Sequence, residues 1–392
     1  MIGITKLLTN SCNFGDNLRY SEHSYNQKNG THLNHGPVVV WNVTRTCNLN
    51  CIHCYANSDA KKYEGELTTE EAKNMIDQLA DFNVPVLLLS GGEPLIRPDI
   101  LELAEYAIGK GIRVTFSTNG TLIDKKVAKQ IKDIGVGYVG ISFDGIKEKH
   151  DAFRRHEGAF DKALTGVRNL VEVDQRVGLR FTINKHNYLQ LNQIFDFIEK
   201  EDIPRACFYH LVYSGRGSEM MAEDLTHEET RDALDIIINR TMDFDKRGLD
   251  KEILTVDNHA DAIYVYLKAK KEHPELADYI YEMLQRNGGN RSGIAFANID
   301  YQGFVHPDQF SQNYTFGNIK ERSFKDIWTD LSNPILKGLK DRKPLLKGRC
   351  ASCKWLDICN GNFRTRADAV YGDFWESDPA CYLTDEEIGL TK

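Results

Sequence analysis

Residues 37–43 read Pro-Val-Val-Val-Trp-Asn-Val, an apolar, β-branched run without alternation. Such a run marks a strand covered on both faces. Comparable runs return at 84–90, 112–117, 138–143, 178–183 and 206–212. The stretches between them suit helices, over 68–82, 98–109, 124–134, 160–171 and 191–199. The first helix opens on Thr68-Thr69-Glu70-Glu71, a capping residue followed by an acidic first turn. Six strand–helix units predict an α/β fold with a parallel sheet and right-handed crossovers. The pattern alone fits an open doubly wound sheet as well as a curved partial barrel. In either, chemistry belongs at the carboxyl ends of the strands.

The flanks read differently. Residues 1–8 suit a short strand, and 10–36 are polar and irregular, with Phe14, Leu18, Tyr20 and Tyr25 as apolar points that pack on the domain. Residues 218–290 are charged and mostly helical, with Leu234, Ile237, Ile238, Met242 and Phe244 on one face. The expected organisation is an N-terminal extension (1–36), an α/β domain (37–217), a helical bridge (218–290) and a C-terminal module (291–392).

Cysteine placement changes the picture. Of nine cysteines, Cys47, Cys51 and Cys54 follow the first strand with spacing C-x3-C-x2-C, and Cys350, Cys353, Cys359 and Cys381 sit near the end. Three thiolates hold three irons of a 4Fe-4S cube and leave the fourth open. Zinc prefers paired C-x2-C units, which would leave Cys47 surplus. The four later cysteines suffice for a closed site, for which zinc and iron–sulfur are both open readings. The net charge of −8 argues against a nucleic-acid partner. No apolar run reaches the roughly 18 residues of a membrane span, and no signal peptide is evident. The cytoplasm is the expected location, where clustered thiols point to metal rather than disulfides.

Cys47-x3-Cys51-x2-Cys54-Tyr55, placed just after a buried strand, resembles the radical S-adenosylmethionine (SAM) enzymes. The resemblance selects the partial (β/α)6 barrel. It implies that SAM chelates the open iron and yields a 5′-deoxyadenosyl radical. It further implies SAM contacts at Gly91, Gly92 and Glu93 of the Gly-Gly-Glu-Pro turn, at Ser117 and Asn119, at Ser142 and Asp144, at Arg180, and at Leu211. The late cysteines resemble the SPASM extension, which normally carries seven cysteines and two auxiliary clusters. Here Phe363 and Asp308 stand at two cysteine positions. One auxiliary 4Fe-4S cluster on Cys350, Cys353, Cys359 and Cys381 is therefore expected, with Asp308 as an oxygen ligand to a second cluster the remote alternative.

Three further features resemble a tetrapyrrole-modifying branch, the 12,18-didecarboxysirohaem deacetylases of alternative haem biosynthesis and the haem d1 biosynthesis proteins. They are the opening 1–7 with Leu18-Arg19-Tyr20, the run from Gly36 into Thr44-Arg45-Thr46-Cys47, and 359–367. The branch implies removal of acetate side chains, a tetrapyrrole substrate and a reductant such as flavodoxin or ferredoxin. Arg216, Arg364 and Arg366, with Arg19, are the expected partners for the substrate's carboxylates. His210 is a candidate for its iron or a propionate, although a hydrogen-bonded core role suits it better. The alternatives are a peptide maturase of the SPASM type and a non-enzymatic metal protein.

Overall fold

The apolar runs all become strands of one sheet. A computed structural model describes residues 1–20 and 36–390. The strands are β1 (Ile2–Gly3), β2 (Val38–Asn42), β3 (Val86–Ser90), β4 (Arg113–Thr118), β5 (Tyr138–Phe143), β6 (Val177–Ile183), β7 (Arg205–His210), β8 (Glu252–Val256), β9 (Phe296–Ile299), β10 (Phe304–His306) and β11 (Gly317–Asn318). Their spatial order is β1-β8-β7-β6-β5-β4-β3-β2-β9-β10-β11. Strands β2 to β8 pair in parallel with their sequence neighbours, and β9 pairs in parallel with β2. The edge pairings, β1 with β8 and β10 with β9 and β11, are antiparallel. The two ends of the sheet do not pair, so the barrel is partial.

Six of the parallel strands match the expected runs. A seventh, β8, lies inside the stretch read as helical, and this corrects that reading. Residues 1–8 also differ from expectation. Only Ile2–Gly3 is strand, and Ile4–Thr9 continues as a helix that buries Ile4, Leu7 and Leu8. Tyr25 lies outside the described residues.

Alternation along the strands divides the two faces. Val39, Trp41, Leu87, Leu89, Phe116, Ile141, Phe181 and Phe208 are fully buried against the surrounding helices. Those helices form where expected. Thr69–Asp81 starts at a capping box, in which the Thr68 side chain accepts from the Glu71 N–H and Glu71 accepts from the Thr68 N–H. The other face carries Ser90, Ser142, Arg180, Thr182 and Tyr209, whose side chains line a cavity. The register sets Ser142 beside Arg180 and Arg180 beside Cys207 on adjacent strands. A core sheet therefore presents polar groups on its inner face, at the carboxyl ends of its strands.

Candidate functional site

The three-cysteine loop leaves β2 and is gripped from two sides. On one side the Gly92 N–H donates to the Thr44 carbonyl (2.8 Å), and the Glu93 N–H donates to the Thr46 carbonyl (3.0 Å). A Cβ on Gly92 would fall 2.1 Å from the Thr46 oxygen, and Gly91 has φ +127°. These glycines are needed because the loop's backbone runs against them. On the other side Arg216 donates from Nε to the Cys51 carbonyl (2.8 Å) and from its fork to the Ser58 carbonyl (3.0 Å). Arg216 is thus spent on the loop, which departs from its expected part in carboxylate recognition.

Cys47, Cys51 and Cys54 all face one cavity of about 150 Å³. Burial pushes the Cys47 thiol up to about 12, with Glu93 adding to it. Burial likewise raises Cys51, against the pull of Arg154. Loading a metal here must release protons from the thiols. Among the described residues no three or more His, Cys, Asp or Glu converge as ligands of a single metal ion. A structural zinc needs sulfurs about 2.3 Å from one centre. The donor set, three thiols around a roomy cavity and a polar wall opposite, fits a cluster with one open corner.

That polar wall holds Gly91, Gly92, Ser117, Asn119, Ser142, Asp144, Arg180 and Leu211, all expected SAM neighbours. Glu93, also expected beside SAM, is not in that wall, and Asp144 is in it but already paired. Glu93 is fully buried behind the wall. Its carboxylate accepts from Thr118 Oγ1 (2.6 Å), the Asn119 N–H (2.8 Å) and the Leu95 N–H (3.2 Å), so it braces the turns rather than facing a ligand. Asp144 lines the cavity, but its oxygens are taken by Arg154 (2.6 Å) and His53 Nε2 (3.2 Å). Burial opposes its charge, yet Arg154 and His53 hold its carboxyl far below the usual range. Arg180 has no hydrogen-bonding partner among the described residues and rests over the Tyr209 ring, 4.5 Å from the centroid.

Three cavity residues come from elements that pattern reading passed over. Arg154 ends the short helix Glu148–Arg154 and donates to Cys51 Sγ (3.3 Å). Asp257 follows β8 with φ +68°, and its carboxyl receives no hydrogen bond from the described residues. Burial raises it to about 6, against the Met1 amino group, Arg366 and Arg180. Gln309 arrives from the turn after β10. His210 bonds through Nε2 to Asp261 (2.9 Å), which also accepts from the Tyr382 hydroxyl (2.8 Å). Burial disfavours its charge, but Asp261 prevails and its pKa is raised. It serves as a core histidine at the cavity wall.

The late cysteines also come together. Cys350, Cys353, Cys359 and Cys381 line a cavity of about 30 Å³ with Ile263, Leu356 and other residues. All nine cysteines are free thiols. Asp308 joins neither cysteine set. Its Oδ1 accepts from the Phe310 and Ser311 N–H groups (2.9 Å each), the geometry of a turn cap. Phe363 packs edge-on against Phe310 (5.5 Å).

Between the barrel mouth and the C-terminal segment lies a larger cavity of about 620 Å³. Tyr55 and Phe310 border both it and the cysteine cavity, with rings 5.2 Å apart and edge-on. The other expected arginines are absent from its walls. Arg364 donates to the carbonyls of Gly361, Phe374 (3.3 Å) and Glu376 (2.5 Å). Arg366 pairs with Asp378 (2.7 Å) and donates to the Leu211 and Asp257 carbonyls (3.1 and 2.7 Å). Arg19 pairs with Asp16 (2.7 Å) and with Glu252, at the opposite end of β8 from Asp257. All three hold the framework. Arg45 does line the cavity. It stacks on Tyr63 (4.6 Å) and touches the Asn57 carbonyl (3.4 Å), with no acidic partner among the described residues.

Comparison with known proteins agrees with this geometry. Residues 41–198 match the radical SAM superfamily, and 293–354 match the SPASM iron-sulfur cluster-binding domain. The chain is 55% identical to an Fe-coproporphyrin III synthase of Methanosarcina barkeri, over 99% of each chain. It is 43% identical to a pre-heme d1 synthase of Dinoroseobacter shibae, over 90% of this chain and 88% of that one. It is 33% identical to an AdoMet-dependent heme synthase of M. barkeri, over 88% and 95%. Streptococcus suis SuiB bound to S-adenosylmethionine shares the fold at TM-score 0.70 and 19% identity, over 91% of this chain and 79% of that one.

Proposed function

We propose that this chain, which belongs to the radical SAM superfamily, removes the two acetate side chains of 12,18-didecarboxysirohaem to give Fe-coproporphyrin III. One observation carries the reading: 55% identity to an Fe-coproporphyrin III synthase along 99% of both chains. The haem d1 relative is less similar, at 43%. The chain is an enzyme of haem synthesis that uses SAM and two 4Fe-4S clusters.

The residues present fit those groups. Cys47, Cys51 and Cys54 hold the SAM cluster, and Cys350, Cys353, Cys359 and Cys381 the auxiliary one. When bound, the first cluster and SAM supply the radical that opens the reaction. The chain's own contribution is placement. Gly91, Gly92, Ser117, Asn119, Ser142 and Leu211 would border SAM, and Arg180, which has no hydrogen-bonding partner among the described residues, would pair with its carboxylate. Glu93 acts one layer back by fixing Asn119, and Asp144 holds Arg154 at the cavity wall.

The macrocycle sits in the larger cavity, whose volume falls in the range of about 300–1,000 Å³ usual for ligand pockets. Arg45 is the guanidinium available there for a substrate carboxylate. A strong reductant of the flavodoxin or ferredoxin kind delivers the electrons. No helix among the described residues is long and apolar enough to cross a membrane. Seven cysteines clustered for metal rather than for disulfides suit a reducing cytoplasm.

The test is anaerobic. Reconstituted protein, SAM, a strong reductant and 12,18-didecarboxysirohaem are mixed, and the tetrapyrrole is followed by mass spectrometry. Two successive losses of acetate, with 5′-deoxyadenosine appearing, are expected. Production of 5′-deoxyadenosine over an unchanged macrocycle would contradict the substrate assignment.

A further inference from the structure

We infer that Arg154 sets how readily the cluster on Cys47, Cys51 and Cys54 accepts an electron, through its hydrogen bond to Cys51 Sγ. The inference rests on reading the three-cysteine loop as a cluster site, and it concerns a residue outside the cysteine and SAM motifs.

The three sulfurs are not equivalent. Cys47 Sγ receives the Leu49 N–H (3.4 Å) and Asn119 Nδ2 (3.9 Å), and Cys54 Sγ receives the Ser58 N–H (3.5 Å). These donors are all neutral. Cys51 Sγ receives a guanidinium at 3.3 Å. Charge-assisted hydrogen bonds are about twice as strong as neutral ones.

Arg154 is built into this position. Its residue is only 6% exposed. The carbonyls of Phe153 and Arg154 accept from the Ile52 N–H (3.0 Å) and the Asn50 N–H (3.4 Å), so the helix end is stitched to the cysteine loop itself. The other arm of the guanidinium is held by Asp144 (2.6 Å), and Asp144 is held in turn by His53 (3.2 Å), a loop residue between Cys51 and Cys54. A buried ion pair is weak evidence for stability, because apolar residues of similar volume often do as well. A charge kept here therefore asks for another reason. The pair is a fixed dipole, and its positive end touches the sulfur.

Reduction adds one negative charge to the cluster. A cation on a ligand sulfur stabilises the reduced state more than the oxidised one, in a buried site where screening is weak. Arg154 thus raises the reduction potential and makes the electron easier to deliver. It is a positioning and tuning residue; nothing in the geometry brings it to the reacting atoms.

The experiment is a redox titration of the full chain, reconstituted anaerobically, followed by electron paramagnetic resonance. Wild type, Arg154→Gln and Arg154→Lys are compared. In the glutamine variant the reduction equilibrium of the SAM cluster falls at least tenfold, which is 59 mV for one electron. The lysine variant keeps a charge but lacks the fork that reaches both Cys51 and Asp144, so it falls between the two. The auxiliary cluster's potential stays put in both. Unchanged potentials in both variants, or an equal shift of both clusters, would overturn the inference. If only the lysine variant assembles its cluster, a lowered potential supports the inference and a wild-type one contradicts it. Wild-type protein with no cluster on this loop would instead defeat the functional reading.

Discussion

The two cysteine sites of this chain are opposites. At the barrel mouth three thiols face about 150 Å³, shared with serines, an arginine and a tyrosine from five strands. In the C-terminal module four thiols enclose about 30 Å³, with Ile263, Leu356, Leu383 and Ile388 among their neighbours. One site has a thiol too few and room to spare; the other has a full set of thiols and little room. Open coordination serves catalysis, and closed coordination serves structure or electron transfer. The difference teaches that thiol number and the character of the wall vary together. A ligand can enter only where the protein leaves both a coordination position and polar partners.

Replacing Cys47, Cys51 and Cys54 by Ala breaks the comparison at its open end. SAM cleavage is expected to vanish, and iron to fall from about eight to about four atoms per chain, measured by chromatography of 5′-deoxyadenosine and by iron assay. Replacing the four late cysteines by Ala breaks it at the closed end. Iron again falls by about half, but 5′-deoxyadenosine still forms while loss of acetate stops; continued acetate loss would show the closed site to be dispensable.

Arg366 and Asp378 join the two regions. Their side chains are fully buried. Arg366 reaches the backbone of Leu211 and Asp257 at the open cavity, and Asp378 lines the closed one. Asp378→Asn leaves a buried guanidinium uncompensated and is expected to cost about 3–5 kcal/mol in denaturant unfolding of the cluster-free protein. A cost under about 1 kcal/mol would deny the tie.

Asp257 offers the smallest effect and a pH signature. Its folded-state pKa is raised from 3.8 to about 6. A raised carboxyl contributes stability that is present below about pH 4 and lost as pH climbs to about 6. Asp257→Asn should therefore stabilise the protein by about 3 kcal/mol at pH 7.5 and bring little gain at pH 4. Equal effects at both values would contradict the assignment.

Much of this was legible in the chain. Strands β2 to β7 announced themselves because the face against the helices is wholly apolar, while the inner face turns polar mainly toward the carboxyl ends. The cysteine spacings carried the two sites. Strand β8, Glu252–Val256, was hidden because it lies between charged neighbours in a region otherwise helical. Missing it also hid Asp257. The fates of the arginines could not be read. Arg216, Arg364 and Arg366 donate mainly to backbone carbonyls gathered by tertiary folding, and no local pattern marks a carbonyl as lacking a partner. Glu93 and Asp144 were visible as motif residues, but their layer was not. Burial sets Glu93 behind the wall, bonded to Thr118, while Asp144 stays at the cavity, paired with Arg154.

The central claim is that one site is open to SAM and the other is closed. Electron paramagnetic resonance of the reduced protein, before and after addition of SAM, tests it most directly. Two cluster signals are expected, of which one changes with SAM and disappears in the Cys47, Cys51 and Cys54 variant. A SAM response that survives in that variant, or that moves both signals alike, would contradict the account.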